Sequence, residues 1–263
     1  MLRPDDFPGG DPGPNFYELA RHAGLLPAFP SGPFEGITHG TTCVALRCAE
    51  GVVMAGDRRA TSGSFISHRT IEKVFPADRH SGVAIAGAAG PAVEMVRLFQ
   101  LQLEHYEKIE GSQVSLEGKA NQLSQMVRNH LPAAMQGLVV VPIFAGWDHS
   151  RSEGRLFQFD VTGGRYEEFD HASTGSGSLH ASTVVKLGWR EGITADDAVD
   201  LALWALFEAA DEDSATGGPD LLRGIFPVVA TITADGFTRL DDDDLRVRVE
   251  RLVDRLRTER GGA

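Results

Sequence analysis

The sequence predicts an α+β protein in which two antiparallel sheets pack face to face and helix pairs cover their outer faces. The elements follow the order strands, two helices, strands, two helices, strands, which lacks the strict strand–helix alternation of a doubly wound parallel sheet. The strand segments are numerous and apolar enough to fill two packed sheets. The length of 263 residues allows one large domain with a sizeable core or two small ones.

The ordered pattern begins at Thr41. The segments TTCVALRC and GVVMAGD predict a strand pair joined by a turn at residues 49–51. Two further strand regions follow, GSFISHRTIEKVF and SGVAIAGAAG, both with Gly-rich ends. The first half of the chain is therefore expected to supply at least four strand segments before any helix.

The hydrophobic period then changes from two residues to that of a helix. The segment PAVEMVRLFQLQLEHYEKI places Pro91 in a first turn, where proline is tolerated. Its apolar residues recur at helical spacing, namely Val93, Val96, Phe99, Leu103 and Tyr106. The segment SLEGKANQLSQMVRNHL predicts a second helix that is capped by Ser115 and has Pro132 near its end.

The second half of the chain repeats this order. LVVVPIFAGW, GRLFQFDVTGG and RYEEFDHAST predict strands, and SLHASTVVKLGW and TADDAVDLALWALFEAADED predict helices, the second capped by Thr194. FPVVATITADGFTRL predicts a hairpin that turns at residues 235–236. Residues 245–258 predict a final, charged amphipathic helix.

Composition excludes several classes of protein. A net charge of −12 argues against a nucleic-acid-binding surface, which needs clustered Lys and Arg. We expect no membrane-spanning segment, since no apolar run approaches 18 residues. The acidic, Pro-rich start does not resemble a signal peptide. Cys43 and Cys48 would point to opposite faces of one strand, so they are poorly placed for a disulfide or a zinc site. We therefore expect two buried free thiols, as is typical of a cytoplasmic protein.

Residues 1–40 differ from the rest of the chain. They hold 7 of the 13 prolines and 7 of the 30 glycines, and residues 15–26 alone have the pattern of a short helix. This segment cannot bury enough apolar surface to fold by itself. It is either a disordered tail or a removable prosegment.

The junction of the two regions, ITHGTTCVAL, suggests a chemical reason for removal. A threonine hydroxyl is a weak nucleophile until a base takes its proton. If the chain were cut between Gly40 and Thr41, the new α-amine, with an ordinary pKa of about 8, could be that base. Asp57 and Lys73 follow at intervals of sixteen residues and could return to the start of the first strand. A turn carboxylate and a solvated lysine are the alternative interpretations of these two residues.

The combined pattern resembles a known family. HGTTCVALRCAEGVVMAGDRRAT, ISHRTIEKVFPAD, AIAGAAGPAVEMVRLFQLQLEHYEKIEG, TGSGS and DEDSATGGPDLLRGIFP are similar to the β subunit of the proteasome core particle in its actinobacterial form. The resemblance covers about residues 37–240. It implies the four-layer αββα sandwich of N-terminal nucleophile hydrolases, a threonine endopeptidase that needs no metal or organic cofactor, a propeptide at residues 1–40 and a catalytic domain at residues 41–263.

The resemblance also implies roles for individual residues. Thr41 would be the nucleophile, released by autocatalytic cleavage after Gly40, with Asp57 and Lys73 beside it. Gly87 would present the backbone N–H that faces the oxyanion. The supporting polar residues near the amine would be Ser176, Asp213 and Thr216, the last replacing the more common serine.

A substrate pocket follows from the same resemblance. Its lining would be Ala60, Ile71, Phe75, Ile85, Ala89 and Val93. Since this set contains no charged side chain, we expect cleavage after Leu, Tyr or Phe rather than after Arg or Glu.

The implied partners are proteasome α subunits, further β subunits in heptameric rings within a stack of four, and an ATPase ring that feeds unfolded proteins tagged by a small ubiquitin-like protein.

Two other functions stay open. The chain could be a catalytically silent ring subunit, although such subunits usually lack one of the three central residues. It could also be another N-terminal nucleophile amidohydrolase. The simpler bacterial threonine protease of hexameric rings has a shorter chain and lacks DRRAT and a long prosegment.

Overall fold

A computed structural model describes residues 40–261. Its strands, in chain order, are β1 Thr42–Cys48, β2 Gly51–Gly56, β3 Ala60–Ser62, β4 Phe65–His68, β5 Val74–Asp78, β6 Ser81–Gly87, β7 Val140–Asp148, β8 Glu153–Phe159, β9 Arg165–Glu168, β10 His171–Gly175, β11 Val228–Thr233 and β12 Gly236–Arg239. Its helices are α1 Ala89–Glu110, α2 Leu116–Ala134, α3 Ser178–Gly188, α4 Ala195–Glu212 and α5 Asp242–Arg260.

The strands form two five-stranded antiparallel sheets and a small hairpin. The first sheet has the order β10-β1-β2-β11-β12, and the second has the order β5-β6-β7-β8-β9. The hairpin pairs β3 with β4. Three apolar clusters fill the spaces between layers. One lies between the two sheets, one packs α1 and α2 on the second sheet, and one packs α3, α4 and α5 on the first.

Alternation along β1 and β2 explains why these strands look apolar throughout. Cys43, Ala45 and Met54 enter the cluster between the sheets, whereas Val44 and Leu46 enter the cluster under the helices. Both faces of these strands are therefore buried. The predicted α+β sandwich is confirmed. The first sheet is covered by three helices rather than the predicted pair, because the apolar face of α5 joins α3 and α4 in the cluster on that sheet.

Several local predictions are confirmed. Ser115 caps α2 by accepting a hydrogen bond from the Gly118 N–H, and Thr194 caps α4 by accepting one from the Asp197 N–H. The predicted β11–β12 hairpin is present, but it turns at residues 234–235, one residue earlier than predicted, because Gly236 already pairs with Thr233. Both cysteines are free thiols. Cys43 is buried between the sheets as predicted, whereas Cys48 is only partly buried on the helix-covered side, because it is the last residue of β1.

Other predictions were wrong in detail. RYEEFDHAST forms two strands in different sheets, since β9 ends the second sheet and β10 begins the first. Residues 69–73, predicted as strand, have no regular structure. The final helix begins at Asp242, earlier than predicted, because the Asp241 side chain caps it by accepting from the Asp244 N–H. Tyr106 is exposed and Met95 is buried on α1.

The predicted short helix at residues 15–26 and the prosegment up to residue 39 lie outside the described residues. Within residues 40–261, none of the helices combines the length and the apolar character that crossing a membrane requires.

Candidate active site

The site is built around the residue that precedes β1. Thr41 is buried, and the next residues pair with both neighbouring strands, Thr42 with Gly175 of β10 and Cys43 with Gly56 of β2. Gly175 has a φ of 100°, and a Cβ there would lie 1.9 Å from the Thr41 carbonyl oxygen. Only glycine lets β10 approach the start of β1 this closely.

Asp57 and Lys73 reach Thr41 from the ends of two other strands. Asp57 directly follows β2 and is fully buried, and Lys73 directly precedes β5 and is buried as well. The Lys73 Nζ lies 2.6 Å from Asp57 Oδ1. It also donates to the Arg59 carbonyl at 2.6 Å and to the Gly40 carbonyl at 3.2 Å. Three oxygens thus fix the direction of the ammonium group.

The Asp57 carboxylate is surrounded by donors on the backbone as well. Its Oδ1 accepts from the Thr42 N–H at 2.8 Å, and its Oδ2 accepts from the Arg59 N–H and the Gly217 N–H at 2.9 Å each. A carboxylate that accepts this many hydrogen bonds is a fixed anion rather than a mobile side chain.

The Gly40–Thr41 peptide bond lies within this arrangement. The Thr41 hydroxyl donates to the Gly40 carbonyl oxygen at 2.8 Å. The Lys73 ammonium donates to the same oxygen. A hydroxyl and a cation therefore meet at the carbonyl of the bond whose cleavage would release an amine on Thr41.

Three further polar side chains form a hydrogen-bonded group at the Thr41 nitrogen. The Thr41 N–H donates to the Ser176 Oγ at 3.4 Å, and the Ser176 hydroxyl donates to Asp213 Oδ2 at 2.5 Å. The Thr216 hydroxyl donates to the same carboxylate oxygen at 2.6 Å. Burial alone would raise the pKa of Asp213, but these hydrogen bonds outweigh it and hold the pKa below its ordinary value. Asp213 is therefore an anion at neutral pH.

A cavity opens beside Thr41 and contains all six residues of the predicted substrate pocket. Its lining is Gly40, Thr41, Ala60, Ile71, Glu72, Lys73, Phe75, Ile85, Gly87, Ala89, Ala92 and Val93. Ile85 is almost fully buried and Phe75 packs against the same apolar cluster under α1 and α2, so both also serve the core.

Sequence reasoning missed two residues of this lining, Ala92 and the acidic Glu72. Glu72 lies in the irregular segment before β5, where strand alternation gives no signal for the direction of a side chain. Its carboxylate is paired with the Arg239 guanidinium at 2.6 Å. The carbonyl of Arg59 and the N–H of Gly217 were also missed, since a backbone group can come from any residue type.

Comparison with known proteins agrees with this architecture. The family model described as "Proteasome subunit" matches residues 37–220. A protein of Acidimicrobium ferrooxidans named "Proteasome subunit beta" is 62% identical over 258 residues, which is 97% of this chain and 94% of that protein. Proteins with the same name are 54% identical in Jonesia denitrificans, over 91% of this chain and 82% of theirs, and 58% identical in Streptomyces griseus, over 81% and 76%. The chain therefore belongs to the proteasome subunit family, as a β subunit of the proteasome core.

Proposed function

We propose that this β subunit, which is part of a protease, is a catalytic subunit of the threonine type. In this proposal Thr41 becomes the first residue and hydrolyses peptide bonds of unfolded proteins. The observation that carries this proposal is the meeting of the Thr41 hydroxyl and the Lys73 ammonium at the Gly40 carbonyl. Nothing in an ordinary strand start requires a buried lysine held at that oxygen.

Maturation would use the same groups as catalysis. The Thr41 Oγ attacks the Gly40 carbonyl carbon, which breaks the C–N bond and leaves residues 1–40 as an ester on Oγ. The nitrogen takes the proton and becomes the α-amine of Thr41. Water then hydrolyses the ester, which releases the propeptide with a free Gly40 carboxylate and restores the hydroxyl. The Lys73 ammonium polarises the carbonyl during the first step.

Peptide hydrolysis would follow an equivalent course on a substrate carbonyl. The α-amine of Thr41 accepts the hydroxyl proton, directly or through a water molecule, and returns it to the leaving amine. Lys73 lowers the pKa of that amine by like-charge repulsion, which keeps part of it neutral at cellular pH. Ser176 and Asp213 hold the amine in place. The backbone N–H of Gly87, which lines the same cavity, stabilises the oxyanion.

The alternatives are less well supported. A silent ring subunit would have no need for the buried Asp57–Lys73 pair at the Gly40 carbonyl. An unrelated small-molecule amidohydrolase does not agree with family membership along most of the chain.

The partners proposed for this subunit are α subunits, neighbouring β subunits in rings of seven, and an ATPase ring that delivers unfolded chains marked by a small ubiquitin-like protein. The surface of α1 is suited to assembly with other proteasome subunits. Leu98, Leu101 and Ile109 form an exposed apolar stripe along α1, and contiguous exposed apolar side chains mark interaction sites. Two free thiols suit the reducing cytoplasm as the compartment in which the particle works.

Two substitutions of Thr41 test the proposal. Thr41→Ala removes the hydroxyl, so purified particles should show no peptidase activity above background and should retain residues 1–40. Thr41→Ser keeps the hydroxyl and should restore both processing and measurable activity. Activity on a fluorogenic peptide and intact mass are measured on the same preparations. A Thr41→Ala particle that cleaves peptides at the wild-type rate would refute the proposal.

A further inference from the structure

The residue after the nucleophile has an environment that the mechanism above does not use. The Thr42 side chain is fully buried. Its Oγ1 lies 2.6 Å from the Thr216 Oγ1 and accepts from the Gly177 N–H at 3.1 Å. Thr42 is not among the residues that line the substrate cavity. Its hydroxyl is hydrogen-bonded to Thr216 and Gly177, next to the residues that support the site.

The chemistry of the partners fixes the direction of these hydrogen bonds. A carboxylate can only accept, and each hydroxyl has one hydrogen to donate. The Thr216 hydrogen goes to Asp213 Oδ2 at 2.6 Å, so the Thr216 oxygen must accept from Thr42. The chain of donors therefore runs from the Gly177 N–H through Thr42 and Thr216 to Asp213.

This chain connects the two groups that hold the Thr41 nitrogen. Gly177 is the neighbour of Ser176, which accepts from the Thr41 N–H. Thr216 orients the carboxylate of Asp213, to which Ser176 donates. A single hydroxyl on Thr42 thus fixes the backbone that carries Ser176 and the side chain that directs its hydrogen.

The Gly177 backbone lies very close to the Thr42 hydroxyl. A Cβ placed on Gly177 would lie 2.4 Å from the Thr42 Oγ1 and 2.8 Å from the Thr216 Oγ1. The glycine backbone therefore packs directly against the hydroxyl pair. A side chain of the same shape without the hydroxyl would leave the buried Gly177 N–H without its acceptor.

We propose that Thr42 is a positioning residue, which acts through Ser176 and Asp213 to orient the α-amine of Thr41. This inference rests on the proposed function, because it assumes that the free amine is the base. The backbone N–H of Thr42 also donates to Asp57, the partner of Lys73. Thr42 consequently connects the amine-holding side of the site with the lysine side.

Thr42→Val and Thr42→Ser test the role of the hydroxyl. Val has the shape of Thr but lacks the hydroxyl. Thr42→Val should therefore lower kcat about 10- to 100-fold and leave KM unchanged, since this is the range expected when a catalytic group is slightly misplaced. Thr42→Ser should restore most of kcat. Thr238→Val, at an exposed position of β12 on the far edge of the same sheet, is the matched control and should behave as wild type. Rates are normalised to the number of free Thr41 N-termini.

The pH dependence of activity distinguishes a positioning role of Thr42 from a purely structural role. The charged or titratable groups around the amine are the Asp57–Lys73 pair, Glu72 in the lining of the adjoining cavity, and Asp213 with His180 near it. Asp213 acts through Ser176 to favour the ammonium form. Loosening that contact in Thr42→Val should lower the pKa of the amine, so the acidic limb of the kcat/KM profile should move to lower pH.

Two results would overturn the inference. One is an unchanged kcat and pH profile in Thr42→Val after normalisation, and the other is an equal loss in Thr42→Ser and Thr42→Val. If Thr41→Ala is inactive while Thr42→Val behaves as wild type, the inference about Thr42 fails and the nucleophile assignment stands. If Thr41→Ala is active, the proposed function fails first.

Discussion

Lys73 shows how a single residue depends on its surroundings. Its ammonium lies in the protein interior, where an unpaired charge would be costly. The Asp57 carboxylate and the carbonyls of Arg59 and Gly40 compensate that cost by accepting its hydrogens. The charge is thereby held beside Thr41 rather than in solvent, which is what a group that tunes a neighbouring amine needs.

Asp57→Asn is expected to destabilise the protein and abolish activity. The substitution leaves Lys73 as a buried charge without a counter-ion, and it places an amide donor among backbone N–H groups. Removing one partner of a buried ion pair typically costs about 3–5 kcal/mol. The full-length precursor should therefore unfold at a clearly lower temperature. Glu104→Gln, which breaks the exposed pair with Lys108 on α1, is the control and should leave the unfolding temperature unchanged. Equal unfolding temperatures for Asp57→Asn and wild type would contradict this assignment.

Part of the site could be predicted from the sequence. Spacing suggested that Asp57 and Lys73 could return to the start of the first strand, and family resemblance supplied Ser176, Asp213 and Thr216. All five lie around Thr41 in the structure. Thr42 was not predicted to contribute, because a threonine in a strand has no pattern that tells a core residue from a hydrogen-bonded one.

At the scale of elements, the start of β1 depends on its neighbours in the sheet. β10 and β2 hold it from both sides, and the close approach of β10 requires glycine at position 175. Position 137 offers a comparison, since Gly137 also has a positive φ, of 90°, but a Cβ there would meet nothing within 4 Å.

Gly175→Ala should impair the site far more than Gly137→Ala. Both substitutions pay for an unfavourable φ, of the order of 1 kcal/mol. Only Gly175→Ala adds a clash with the Thr41 carbonyl oxygen, which must push β10 away from β1. We expect little processing of the propeptide in Gly175→Ala and nearly normal processing in Gly137→Ala, as seen by intact mass. Similar processing of the two variants would argue against a tight junction between β10 and Thr41.

The fold could be predicted in outline because its strands and helices have clear periods and caps. Two of the boundaries that were missed have clear physical reasons. The change from β9 to β10 occurs without a Gly or Pro, so nothing in the sequence separates two strands that belong to different sheets. The acidic run at the start of α5 resembles a loop, yet its first residue caps the helix and the others supply negative charge to the first turn.

In the molecule as a whole, the substrate cavity is lined by residues 40–41, just before β1, by β3, β5, β6 and α1, and by the irregular segment before β5. Its walls are mainly apolar. Its acidic member, Glu72, is already paired with Arg239 of β12. A basic substrate side chain would have to compete for that carboxylate, and an acidic one would find only Lys73, which is held by Asp57.

Substrate preference should therefore be of the chymotrypsin type. Burial of one large apolar side chain gains roughly 1.5–3 kcal/mol, whereas an unpaired charge in this cavity is penalised. A panel of fluorogenic peptides should show faster cleavage after Leu, Tyr or Phe than after Arg or Glu. Arg239→Ala frees Glu72 and should raise the rate after Arg relative to the rate after Leu. Faster cleavage after Arg by the unmodified particle would refute this description of the pocket and leave the Thr41 mechanism intact.

Identification of the first residue of the mature subunit tests whether Thr41 is an N-terminal nucleophile. Loss of the first 40 of the 263 residues leaves a chain of 223 residues. Because the removed segment holds two basic and five acidic residues, the formal net charge changes from −12 to −9. N-terminal sequencing and intact mass of the subunit from purified particles should show a chain that begins at Thr41. A mature, active subunit that begins at any other residue would contradict the account, since its amine could not serve the Thr41 hydroxyl.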